Sequence, residues 1–138
     1  MTNFLDNFSV YEEQNLDVEN SYFMDTRPLK GFATTEGTNR FYRRAMNEDS
    51  YDVLEVSPQN FNSPFDENLK VSSIGYGTYV GDPDDMTDFQ VYDAIKQSVL
   101  SGGVNHIDTA PNYRYMKAER TVGKILTALE SKYGIDRE

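Results

Sequence analysis

The chain has 138 residues, 38 % of them apolar, with a mean hydropathy of −0.67 and a net charge of −10, which suits one domain with some residues left outside a packed core. The acidity argues against nucleic acid and anionic lipid as partners, the lack of cysteine excludes disulfides and thiolate metal sites, and the single histidine, His106, builds no histidine metal cluster. No apolar run of about 18 residues marks a membrane span, and the acidic start lacks the basic region of a signal or transit peptide, so a soluble cytoplasmic protein is expected.

Residues 1–69 carry 13 acidic and 5 basic side chains, net −8, whereas residues 70–138 carry 10 and 8, net −2. From residue 1 to about 66 there is no sustained period of 2 or 3.6. Aromatic residues recur singly among polar and acidic ones, at Phe4, Phe8, Tyr11, Tyr22, Phe23, Phe32, Phe41, Tyr42, Tyr51, Phe61 and Phe65. Such a stretch builds no core of its own. Two readings stand level: a disordered tail, which the composition favours, or an extended arm whose rings dock into pockets on another surface. A short helix is predicted over residues 36–46, where Phe41 and Ala45 lie four apart beside Arg40, Arg43 and Arg44; the basic cluster reads as a solvated helix face.

Beyond residue 68 the pattern changes. Residues 69–80 read as a strand, with apolar alternation at Leu69 and Val71 and with Gly75 and Gly77 placed where backbone must approach a neighbour or a ligand. Residues 81–85 form a turn. A helix follows over about 87–101, with Val91, Ala94, Ile95, Val99 and Phe89 on one face and Gly102 and Gly103 ending it. Residues 104–108 form a second strand, a loop runs to Lys117, and a second helix covers about 118–133. Its apolar face is Val122, Ile125, Leu126 and Leu129, and Gly134 is a natural stop. Strand, helix, strand, helix in that order predicts a parallel α/β unit. In such units the C-terminal ends of strands and the loops after them carry the chemistry, which singles out Asp108 and Tyr113. Without further support, Asp108 reads rather as a satisfied strand-end carboxylate and Tyr113 as an ordinary loop aromatic near Tyr115.

Three segments, in order and in spacing, resemble the aldo-keto reductases, NADP(H)-dependent oxidoreductases built on a (β/α)8 barrel. The first is Ile74-Gly75-Tyr76-Gly77-Thr78-Tyr79. The second is Ser101-Gly102-Gly103-Val104-Asn105-His106-Ile107-Asp108-Thr109-Ala110, followed by Tyr113. The third is Glu119-Arg120-Thr121-Val122-Gly123-Lys124. Residues 31–38 also resemble the lead-in of one branch of that family.

The resemblance implies a partial TIM barrel, its first two βα units at residues 69–138, preceded by an extended, largely irregular acidic arm at 1–68. It implies that Tyr113 is the general acid that protonates a substrate carbonyl oxygen. It implies that Asp108 matches the family's aspartate, which pairs with a lysine to make a tyrosine, with an ordinary pKa near 10, acidic enough. Gly77, Thr78 and Tyr79, with Asp108, are implied on the nicotinamide side of NADP(H). The family's lysine and histidine lie on its third and fourth strands, beyond Glu138, and Lys117, Lys124 and Lys132 sit in a loop and a helix. His106 is expected as a packed strand residue on the same face as Asp108. The 138 residues alone are therefore expected to be inactive. Either they are the N-terminal part of a reductase acting on a small carbonyl substrate, or they are a non-catalytic module that joins a larger protein assembly through residues 1–68.

Overall fold

The structure, a computed structural model, describes residues 29–46 and 56–138. The readings made for the rest of the arm, including Phe4, Phe8, Tyr11, Tyr22, Phe23 and Tyr51, lie outside the described residues. Helix α1 spans Thr35–Ala45, and Thr34 caps it by accepting the Gly37 N–H on Oγ1 at 2.9 Å. Ala45 is buried and Phe41 packs against the main core. The basic cluster lies on an exposed helix face, as expected, and it also makes contacts. Arg40 pairs with Asp136 at 3.1 Å and Arg44 donates to the Tyr133 carbonyl at 3.1 Å, so two of its three arginines hold the end of the last helix and the segment after it.

Strand β1, Phe61–Asn62, pairs antiparallel with β2, Val71–Ser72. Phe61 meets Tyr42 of α1 edge-on, with ring centroids 5.2 Å apart. Strand β3, Tyr76–Gly77, pairs instead with β4, Ile107–Asp108, in parallel, Gly77 standing opposite Asp108. The single strand expected over 69–80 is thus two short ones with different partners. Side-chain hydrogen bonds explain the break. Ser72 donates its hydroxyl to the Ile74 carbonyl at 2.8 Å, while its N–H goes to Asn105 Oδ1 at 2.9 Å, so the ladder to β1 stops and the chain crosses to β4. The second strand is shorter than the expected 104–108 for a related reason. Asn105 turns its amide to the Lys70 carbonyl at 2.7 Å instead of continuing a ladder.

Helix α2 spans Asp85–Leu100, with Asp84 accepting the Thr87 N–H at 2.7 Å, and α3 spans Lys117–Tyr133, ended by Gly134 at φ 63°. The core lies between them, with Val91, Tyr92, Ile95 and Val99 of α2 against Val122, Ile125, Ala128 and Leu129 of α3. Tyr76 and Ile107 of the parallel pair pack on the same cluster, so the two helices cover one face of β3 and β4. Among the described residues the parallel sheet has two strands and no barrel closes. Among them, too, no helix is long and apolar enough to cross a membrane.

Candidate active site

The parallel pairing brings the ends of β3 and β4 side by side. Thr78 is fully buried, and both its N–H (3.1 Å) and its hydroxyl (2.9 Å) donate to the Asp108 carbonyl. Its side chain is therefore spent on joining the strand ends, and only its backbone is available to a ligand. Gly77 is exposed, and nothing stands within 4 Å of where a Cβ would be. Tyr79 projects outward and meets the Tyr113 ring edge-on, with centroids 5.1 Å apart. The Tyr113 hydroxyl reaches Asp108 Oδ2 at 3.4 Å, a long hydrogen bond. The five residues singled out in the sequence, Gly77, Thr78, Tyr79, Asp108 and Tyr113, thus converge on one strand-end rim. Asp108 is exposed and Tyr113 half-buried, and a cavity of ≈ 210 Å³ lies apart from them against α1, lined by Phe41, Val99, Ile107 and Leu126.

His106 departs from expectation. It precedes β4 and is exposed; its ring lies over Gly75, where any Cβ would overlap it, with Nδ1 3.4 Å from Ser72 Oγ. Gly75 is therefore a close-approach glycine, whereas Gly77 leaves its face bare.

Arg114, Asp88 and Asp85, none of them singled out from the sequence, support the rim together with Lys117. Arg114 pairs with Asp88 of α2 in a bridge whose side chains are 1 % and 5 % exposed, and its Nε donates to the Thr78 carbonyl at 3.4 Å. Lys117 Nζ contacts the same Asp88 at 3.2 Å and Asp85 at 2.7 Å. Those two carboxylates, Asp85 first, hold the Lys117 ammonium above its ordinary pKa. Burial acts oppositely on Lys124 and lowers it. Arg114, Tyr115 and Met116 all have left-handed backbone, at φ 47°, 55° and 69°, unusual for three successive residues with side chains. Asp88 had left a trace in the sequence: it stands three, four and seven residues before Val91, Tyr92 and Ile95, on the apolar face of α2, where a lone carboxylate needs a partner. Arg114 left none, because its loop has no period. No group of three or more His, Cys, Asp or Glu side chains among the described residues is arranged to hold a metal ion.

Residues 73–135 match the model of the aldo/keto reductase family. No curated protein and no solved structure matches the chain.

Proposed function

We propose that residues 69–138 are the first two strand-helix units of a barrel oxidoreductase that interconverts carbonyls and alcohols with NADP(H), and that Tyr113 and Asp108 are its proton-relay residues. The observation that carries this reading is the Tyr113 hydroxyl set 3.4 Å from Asp108 Oδ2, beside the bare backbone of Gly77. The residues present fit the cofactor in one respect: at Gly77 no side chain obstructs a flat ring approaching the strand end. When bound, NADP(H) supplies a hydride to the carbonyl carbon. Tyr113 would hold its phenolic proton toward the carbonyl oxygen, give it up there, and regain one from solvent. Tyr79, edge-on to Tyr113, limits where that ring can swing.

A phenolate formed against the Asp108 carboxylate would face a like charge at hydrogen-bond distance, so the step needs a cation between them. Lys117 does not supply it, since its ammonium is held by Asp85 and Asp88. We propose that a lysine on a further strand supplies it, as the family resemblance implies.

The test is to isolate the polypeptide that carries these residues from its source and weigh it. A mass near about 36–42 kDa fits an eight-unit barrel plus the arm. In that polypeptide Tyr113→Phe abolishes NADPH-dependent carbonyl reduction while NADPH binding persists. Full activity in Tyr113→Phe would refute the assignment. The alternative, a non-catalytic module that joins an assembly through residues 1–68, draws on Phe32 and Phe65, which are 75 % and 91 % exposed. A native mass of 15.8 kDa, together with co-purifying partners lost on Phe32→Ser and Phe65→Ser substitution, would decide for it.

A further inference from the structure

Tyr113 stands at the start of a 3-10 segment, Tyr113–Met116, whose last three residues are left-handed, and none of those three is glycine. Left to itself, such a segment would relax to right-handed or extended backbone and carry the Tyr113 ring away. Something must hold it. Tyr115 is 84 % exposed and Met116 is exposed too, so neither is clamped by packing. Arg114 is the exception. Its guanidinium passes under the rim, donates through Nε to the carbonyl of Thr78, and pairs through Nη1 with Asp88. Thr78 is in turn joined to Asp108 by two hydrogen bonds. A continuous path therefore runs from the Tyr113 backbone, through the next side chain, to the residue bonded to Asp108.

We propose that Arg114 is a positioning residue for Tyr113: its paired contacts with Asp88 and the Thr78 carbonyl fix the left-handed segment and so hold the phenol against Asp108. The relevance of this to catalysis rests on the proton-relay reading of Tyr113 and Asp108, but the positioning itself does not. Arginine suits the task because its planar fork can donate in two directions at once, toward a carboxylate on α2 and a carbonyl on β3; a lysine offers one head group and cannot span both. Asp88 serves a second cation, Lys117, so removal of Arg114 leaves that carboxylate paired.

The experiment is NMR on the full 138-residue chain labelled on its tyrosine rings and isoleucine methyl groups, with Tyr113 assigned by its loss in Tyr113→Phe. In the unaltered chain, ring-to-ring NOEs join Tyr79 and Tyr113, and the Tyr113 resonance moves on Asp108→Asn. The key variant is Arg114→Gly, because glycine accepts left-handed backbone without strain and only the anchor is deleted. The expected result is loss of the Tyr79–Tyr113 NOEs and of the response to Asp108→Asn, while the methyl resonances of Ile95 and Ile125 stay unchanged. Retention of both Tyr113 signatures in Arg114→Gly overturns the proposal. If the methyl resonances collapse instead, Arg114→Lys decides: loss of the Tyr113 signatures with the core intact supports the proposal, and their retention overturns it. Since no readout depends on turnover, a chain that never binds NADP(H) would sink the functional reading and leave this inference standing.

Discussion

Asp88→Ala removes the one carboxylate that Arg114 and Lys117 share. The Arg114 side chain is only 1 % exposed, and its Nη2 already has no hydrogen-bond partner among the described residues. Truncating Asp88 therefore leaves a buried cation with one long hydrogen bond to Thr78, and breaking a buried pair from one side costs about 3–5 kcal/mol. With a urea slope of about 1–3 kcal/mol/M for a small domain, that loss lowers the unfolding midpoint by at least about 1 M. Asp85 is the internal control. It contacts the same Lys117, but its side chain is 88 % exposed, and pairs of that kind contribute little to stability. Urea unfolding followed by circular dichroism at 222 nm, run on Asp88→Ala, Asp85→Ala and the unaltered chain, measures the contrast. If the two variants unfold at the same midpoint, the bridge does not anchor α2 to the loop after β4, and the account of the left-handed segment fails with it.

The remaining expectations concern the helices. Asp84 is held below its usual carboxylate pKa of 3.8, chiefly by the Thr87 backbone N–H it accepts; a folded pKa below the unfolded one gives stability that is present above the unfolded value and lost as pH falls through the folded one. In an acid titration of thermal midpoints, the advantage of the unaltered chain over Asp84→Asn should therefore shrink below pH 3.8, and a constant gap would contradict this. Ile95→Ala and Ile125→Ala each empty a fully buried position between α2 and α3 and should cost about 2–5 kcal/mol, against less than about 0.5 kcal/mol for Ile74→Ala at an exposed one; equal melting temperatures across the three would show that the core is misplaced. Gly37→Ala would drive a methyl into the Glu138 backbone, which accepts the Thr34 N–H, so amide exchange at Thr34 should quicken; unchanged exchange would mean that α1 does not seat that segment.

The parts of the fold that could be read from the sequence are those written in a local period. Val91, Ile95 and Val99, then Val122, Ile125 and Leu129, announce α2 and α3 by spacing alone, and all six are buried. Gly134 announces the end of α3 because the left-handed turn there needs it. Tyr92 was missed, although it is almost wholly buried on the same face, because a tyrosine carries a weaker apolar signal. What a period cannot carry is non-local exchange. The split of the first strand depends on Ser72 and Asn105, 33 residues apart, trading hydrogen bonds, and nothing near either one announces the other. The hairpin of β1 and β2 was hidden for a second reason: two-residue strands are too short to alternate. At the candidate site, a motif pointed to Asp108 and Tyr113, which the structure brings together, whereas nothing pointed to the arginine beneath them.

The rim is held in two ways that fail differently. Backbone pairing sets the height of the strand ends, with the Thr78 N–H donating to the Asp108 carbonyl, and the Thr78 hydroxyl adds a second bond to the same carbonyl. That register tolerates side-chain change, since it is made mostly of main-chain groups. The lateral position of Tyr113 has no such protection. Three successive left-handed residues cost roughly 3–6 kcal/mol against relaxed backbone, a sum of the same order as the roughly 3–5 kcal/mol lost when a buried bridge is broken. The segment is thus balanced against the pair that restrains it, and small changes at Asp88, on a different helix and 20 residues before Asp108 in the chain, reach Tyr113 without touching it. A substitution that relieves the strain without preserving the bridge should make the loop easier to form and the site worse. Glycine at position 114, which the backbone angle alone would favour, would therefore release the Tyr113 phenol from the Asp108 carboxylate.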